Sequence, residues 1–225
     1  MKLIAIDTAT EVCGIALTDN NRLLAEQRLH QKNIHNERLV SAIQHLSESV
    51  GWQIDDFKAI ALSIGPGSFT GLRIGISVAK GFACSLDIPI VSVNTLDAMA
   101  LSAQFWSGRI FTVIKARTHE CYFGDFVKEG RQIKLNSEYE VLSIENIKER
   151  VQKDILMLCS PFELMSNFMS SEYFYAHSAG FLMSPLAIAE LGYRKLQSGQ
   201  TEDADSLEPF YLKEFAAKRK VYQYD

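Results

Sequence analysis

The run Ala59-Ile60-Ala61-Leu62-Ser63-Ile64-Gly65-Pro66-Gly67-Ser68-Phe69-Thr70-Gly71-Leu72-Arg73-Ile74-Gly75 holds a strand, a turn and the start of a long helix. Residues 59–64 are apolar apart from Ser63, the pattern of a central strand covered on both faces. Residues 65–70 carry two glycines and a proline and read as a turn. Thr70 offers the side-chain oxygen of an N-cap for a helix reaching Leu86. A second apolar strand follows at 88–93, and Asn94 or Thr95 opens a helix through Ala103. Strand, helix, strand, helix is the βαβ pattern, which sets part of the sheet parallel.

Upstream, 3–6, 12–17 and 23–29 read as three strands joined by tight links, an antiparallel meander with Asp19-Asn20-Asn21 as one turn. Residues 36–50 place Leu39, Val40, Ile43, Leu46 and Val50 on one helix face, and Gly51 stops that helix. Downstream of Gly108 a second meander begins at 109–114, 121–127 and about 139–142. Ser143 caps a short helix to Val151, 155–158 is a strand, and Pro185 starts a helix to Leu196. Each half thus opens on a β-meander and passes to helices. A duplicated α/β chain of this kind suggests the actin-like, ribonuclease H-like architecture: two lobes with mixed sheets flanked by helices. The expected division is an N-terminal lobe at 1–106 and a smaller, divergent lobe at 107–225.

The helix from Thr70 has small residues every fourth position: Gly67, Gly71, Gly75, Ala79 and Ala83. Such a stripe lets another backbone come close. Leu72, Ile74, Ile76, Val78 and Phe82 cover the other side, so the helix is apolar nearly all round. Internal packing and a partner surface fit this pattern equally. A phosphate loop does not: Leu72-Arg73 follow Gly71 where a G-K-[ST] would stand, and Thr70 replaces the third glycine of G-x-G-x-x-G.

The chain has 225 residues, 47% hydrophobic and 22% charged, with a formal net charge of −4. This is globular composition and argues against an autonomous nucleic-acid binder, although Lys213, Lys218, Arg219 and Lys220 cluster near the C-terminus. The N-terminal apolar run is too short for a signal peptide and no long apolar run suggests a membrane span. Cys13, Cys84, Cys121 and Cys159 lack metal spacing and read as core thiols of a cytosolic protein. The histidines (His30, His35, His45, His119, His177) form no i, i+4 pair, and G-x-S-x-G is missing, so neither a metal site nor a hydrolase triad is indicated. Asp7-Thr8-Ala9-Thr10 has the residue types of a phosphate-binding hairpin but lacks the glycine that lets backbone reach phosphate. An ATPase or kinase using this hairpin is the alternative reading. Residues 115–117, Lys-Ala-Arg, supply no second acid for a metal.

Several of these segments together resemble the TsaB (YeaZ) family. They are Ile4-Ala5-Ile6-Asp7-Thr8-Ala9-Thr10, His35-Asn36-Glu37-Arg38-Leu39, the whole 63–75 run, Pro89-Ile90-Val91-Ser92-Val93-Asn94-Thr95-Leu96, Glu120-Cys121-Tyr122 and Pro209-Phe210-Tyr211-Leu212-Lys213. The resemblance is dense from about 3 to 127 and thin from 128 to 200. It implies the actin-like fold and a cytoplasmic, non-catalytic paralogue of TsaD that binds no cofactor or metal of its own. It further implies pairing with TsaD, ATP-dependent recruitment of TsaE, contact with tRNA only through the complex, and no membrane. TsaD transfers threonylcarbamoyl, from an adenylate made by TsaC, to adenosine 37 of tRNAs reading codons that begin with A. The partner surface it implies lies on the two helices opening at Asn36 and Thr70. On it are His35, Leu39, Ala42, Ile43, Leu46, Gly67, Gly71, Arg73, Ile74, Gly75, Val78, Ala79 and Phe82, and the same face would form a homodimer when TsaD is absent. Two positions depart from the family: Lys115 stands where Asp is common and His119 where Gly is.

Overall fold

The structure, a computed structural model, describes residues 1–30, 34–130, 132–168, 174–175 and 183–212; the side chains of 34–37 and 174–175 lie outside the description. The chain runs β1 (Lys2–Asp7), β2 (Val12–Asp19), β3 (Arg22–His30), α1 (Ile34–Ser49), β4 (Ala59–Gly65), α2 (Phe69–Leu86), β5 (Ile90–Asn94) and α3 (Thr95–Ser102). It continues through β6 (Arg109–Arg117), β7 (Glu120–Glu129), β8 (Gln132–Leu135), β9 (Glu140–Ser143), α4 (Ile144–Arg150), β10 (Ile155–Ser160), β11 (Phe174–Tyr175) and α5 (Pro185–Gln197).

The first sheet is 5-stranded in the order β3-β2-β1-β4-β5. Its β1–β2–β3 part is an antiparallel meander, and β4 and β5 add in parallel to the other side of β1. The second sheet repeats this plan as β8-β7-β6-β10-β11, with β9 also pairing β7. There too β6, β7 and β8 are antiparallel, while β10 and β11 run parallel to β6. The duplication expected from the sequence is therefore real at the level of strand order and direction.

Local chemistry sets the boundaries. Asn20 and Asn21 take positive φ (48° and 63°) and close the first hairpin as asparagines can. Ser68, not Thr70, caps α2: its hydroxyl accepts from the Gly71 amide at 3.2 Å. Asn94 caps α3 through the Leu96 amide at 2.8 Å, and Ser143 caps α4 through the Asn146 amide at 3.1 Å. Strand β8 has no counterpart in the sequence reading because four residues alternating between polar and apolar give little signal at a sheet edge.

Alternation along the strands builds two cores on the first sheet. Ile4, Ile6, Ile60 and Leu62 face α1 and α2 with Leu39, Ile43, Ile76 and Ala79. Leu3, Ala5, Ala59 and Ala61 face the other way, onto α3 and α5, with Ala187, Ile188 and Ala189. The alanines matter: α5 sits so close that a Cβ on Gly192 would overlap Ala61. Though late in the chain, α5 thus packs in the core of the first sheet. One thiol also departs from expectation. Cys13 and Cys121 are buried, but Cys84 is exposed near the end of α2. Among the described residues no helix is long and apolar enough to cross a membrane.

Candidate functional site

Strand β1 ends in Asp7, and the turn to β2 carries Thr8, Ala9 and Thr10. All four are buried, with Asp7 at 0% exposure. Ser63 of β4 donates its hydroxyl to Asp7 Oδ1 at 2.7 Å, and the Ala9 amide donates to the same oxygen at 3.0 Å. Asp7 Oδ2 and Thr8 Oγ1 are buried with no hydrogen-bond partner. Burial pushes the Asp7 carboxyl up to about 6, against the two hydrogen bonds, which pull it down.

The start of α2 closes over this turn. The Ser68 amide donates to the Ala9 carbonyl at 2.7 Å. A Cβ at Gly67 would lie closer than 3.0 Å to the Ala9 carbonyl oxygen, one at Gly71 to the Thr8 carbonyl oxygen, and one at Gly75 to Thr8 Oγ1. Gly67 and Gly71 face the backbone of the chain's own first hairpin, and Gly75 faces the Thr8 side chain. Three amides at this helix start are in use: Ser68 on the Ala9 carbonyl, Gly71 on the Ser68 hydroxyl, and Leu72 on the Ser68 carbonyl at 2.9 Å.

Of the residues expected on a partner surface, Leu39 (1%), Ala42, Ile43, Gly71, Gly75 and Ala79 are buried in the protein itself. The glycines of the stripe pack internally, one of the two readings that the sequence pattern left open. Leu46, Gly67, Ile74, Val78 and Phe82 are half-buried, and Arg73 is exposed. Arg73 stacks its guanidinium on Phe69, 3.9 Å from the ring centre, and Phe69 in turn stacks on Tyr211 at 5.7 Å. The side chain of His35, the whole of His177 and the basic residues Lys213, Lys218, Arg219 and Lys220 lie outside the described residues.

The second hairpin is open by contrast. Lys115, Arg117, Thr118 and His119 are exposed, and the β6–β7 register shifts between Lys115 and Arg117. No group of three His, Cys, Asp or Glu side chains converges among the described residues. The sequence reading missed the segment before the C-terminus as a structural tie. The Phe210 amide donates to Ile64 O at 2.8 Å, its carbonyl presses on Gly65 (φ 121°), and its ring meets Tyr139 of the second lobe edge-on at 6.2 Å. Only the aromatic pair Phe210-Tyr211 could have signalled this.

The family model for tRNA N6-adenosine threonylcarbamoyltransferase, TsaD, matches residues 22–219. The tRNA threonylcarbamoyladenosine biosynthesis protein TsaB of Escherichia coli (strain K12) is 30% identical over 229 residues, 98% of each chain. The chain belongs to the TsaB/YeaZ family. TsaB of Bacillus subtilis (strain 168) is also 30% identical, over 227 residues covering 98% of this chain and 97% of its own. The solved structure of YeaZ from Pseudomonas aeruginosa superposes with a TM-score of 0.80 at 27% identity, over 94% of this chain and 99% of that one. The ethanolamine utilization protein EutJ from Carboxydothermus hydrogenoformans, 12% identical, superposes with a TM-score of 0.51 over 85% of this chain and 90% of its own, which shows the fold alone. The fold is actin-like. As a TsaB/YeaZ chain it matches these relatives over nearly its full length, including the thinly marked stretch from 128 to 200.

Proposed function

We propose that this chain is a non-catalytic, cytoplasmic subunit of tRNA threonylcarbamoyladenosine biosynthesis. It pairs with TsaD and, with TsaE, supports transfer of threonylcarbamoyl to adenosine 37 of tRNAs reading codons that begin with A. tRNA is met only within that complex. The observation that carries this reading is the closed first hairpin. Nucleotide chemistry on this fold needs free amides and space at Thr8–Thr10, and here the backbone of α2 occupies that space.

The pairing surface in this proposal is the outer side of α1 and α2. Its members are Leu46, Ile74, Val78 and Phe82, half-buried, with Arg73 and Val40, the latter 55% exposed. The buried residues of the expected set act beneath it by fixing the two helices. The same surface serves a homodimer when TsaD is absent. Val40→Glu combined with Arg73→Glu tests this surface, because both side chains are exposed. With melting unchanged, affinity for TsaD measured by calorimetry should fall at least about tenfold, as expected for charge placed in an apolar contact. An unchanged affinity would move the surface elsewhere.

A further inference from the structure

A cavity of about 160 Å³ lies where the two lobes meet, lined by Asp97 and Leu101 of α3, Phe126 of β7, Ile133 and Leu135 of β8, Tyr139, and Leu191 and Arg194 of α5. Sequence spacing explains the convergence. Asp97 and Leu101 are four apart on a helix, Leu191 and Arg194 three apart, and Ile133 and Leu135 two apart on a strand, so each pair shares one face. Phe126 stands opposite Leu135 in the β7–β8 register.

The walls combine apolar side chains with the polar groups of Asp97, Tyr139 and Arg194, the first and last of opposite charge. Tyr139 donates its hydroxyl to Asp97 Oδ1 at 2.6 Å, which leaves the carboxylate further acceptor positions. Burial holds the Asp97 carboxyl above its usual range, opposed by the Tyr139 bond and by the charge of Lys195. The Lys195 ammonium itself is committed to the Ser92 carbonyl at 2.8 Å. A cation entering the cavity would therefore meet an undercompensated acid. Arg194, 48% exposed, holds Glu190 through one nitrogen and keeps other donors for an anion.

We propose that this cavity binds a free α-amino acid with a short aliphatic side chain, its ammonium on Asp97, its carboxylate on Arg194 and its side chain among Leu101, Phe126 and Leu135. The size agrees, since a dry cavity of about 150 Å³ takes a molecule the size of benzene. Because the walls come from both lobes, occupancy ties them together. The site is separate from the pairing surface and does not depend on it.

The test is calorimetric titration of the full chain with L-valine, L-threonine, isobutylamine and isobutyrate, with thermal melting in parallel. Saturable binding of at least one of the two amino acids, at least tenfold tighter than the amine or the acid alone, is the expected result. Asp97→Asn and Arg194→Gln should each weaken it at least tenfold. Arg194→Gln is the safer variant, since that side chain is half exposed. No binding of either amino acid at 20-fold the amine's working concentration, or equal binding of amine and amino acid, would overturn the proposal. So would undiminished binding by folded Arg194→Gln.

Discussion

Gly71 and Gly81 lie on the same helix and can be changed in the same way, to alanine, with opposite consequences. A Cβ at Gly71 would come closer than 3.0 Å to the Thr8 carbonyl oxygen, which is backbone and cannot swing aside, whereas a Cβ at Gly81 meets nothing within 4 Å. Replacing Gly by Ala inside a helix is worth about 1 kcal/mol. At Gly81 that gain is undiminished, so Gly81→Ala should raise Tm by about 2–4 °C for a chain of this size. At Gly71 overpacking against rigid backbone costs about 3 kcal/mol, leaving a net loss of about 2 kcal/mol. Gly71→Ala should then melt about 4–8 °C below the parent. Calorimetric or circular-dichroism melting of the two variants beside the parent decides it. If Gly71→Ala melts at or above the parent temperature, α2 does not press on the first hairpin and the hairpin is not closed by it.

Asp7 makes stability depend on pH. Its carboxyl is raised from 3.8 to about 6 in the folded chain, so its protonated form favours the fold, and that contribution is lost as pH rises from about 4 through 6. Asp7→Asn, which keeps the acceptor for Ser63 and Ala9, should stabilise the protein by up to about 3 kcal/mol at pH 7.5 and by little at pH 4; denaturant titrations at the two pH values measure this. A cysteine-alkylating reagent should label Cys84 in the native protein while Cys13 and Cys121, both buried and pushed up to about 11, react only on unfolding; peptide mass spectrometry reads the sites. Gly192→Ala should cost roughly 1–3 kcal/mol through its overlap with Ala61, tested by urea unfolding; a neutral result would deny that α5 is part of the first sheet's core.

Much of the fold was written in short-range signals. The continuous run at 59–64, the caps at Asn94 and Ser143, the Asn20-Asn21 turn and Pro185 each mark an element by local chemistry, and the structure uses them all. The repeated meander predicted the duplicated sheets because strand pairing follows from tight links. The placement of α5 was not legible, since nothing in residues 185–197 says which sheet receives them. The answer lies in alanines far upstream, at 5, 59 and 61. The candidate site shows the same limit more sharply. A stripe of Gly67, Gly71 and Gly75 announces that some backbone comes close, but not whose. The missing partner was Thr8-Ala9, which the sequence reading had judged only as a phosphate hairpin. The interlobe pair of Asp97 and Tyr139 left no trace at all, being separated by 42 residues and assembled only by the meeting of the lobes.

In the proposed role the chain is needed for threonylcarbamoyl transfer without performing chemistry at its own hairpin. The direct measurement is a reconstitution from purified TsaC, TsaD and TsaE with threonine, bicarbonate, ATP and tRNA, in which modified adenosine is counted by mass spectrometry. It would be run without this chain, with it, and with Asp7→Asn. Modification should require the chain and survive the substitution at close to the parent rate. Equal modification without the chain, or loss of modification with a folded Asp7→Asn variant, would contradict that role.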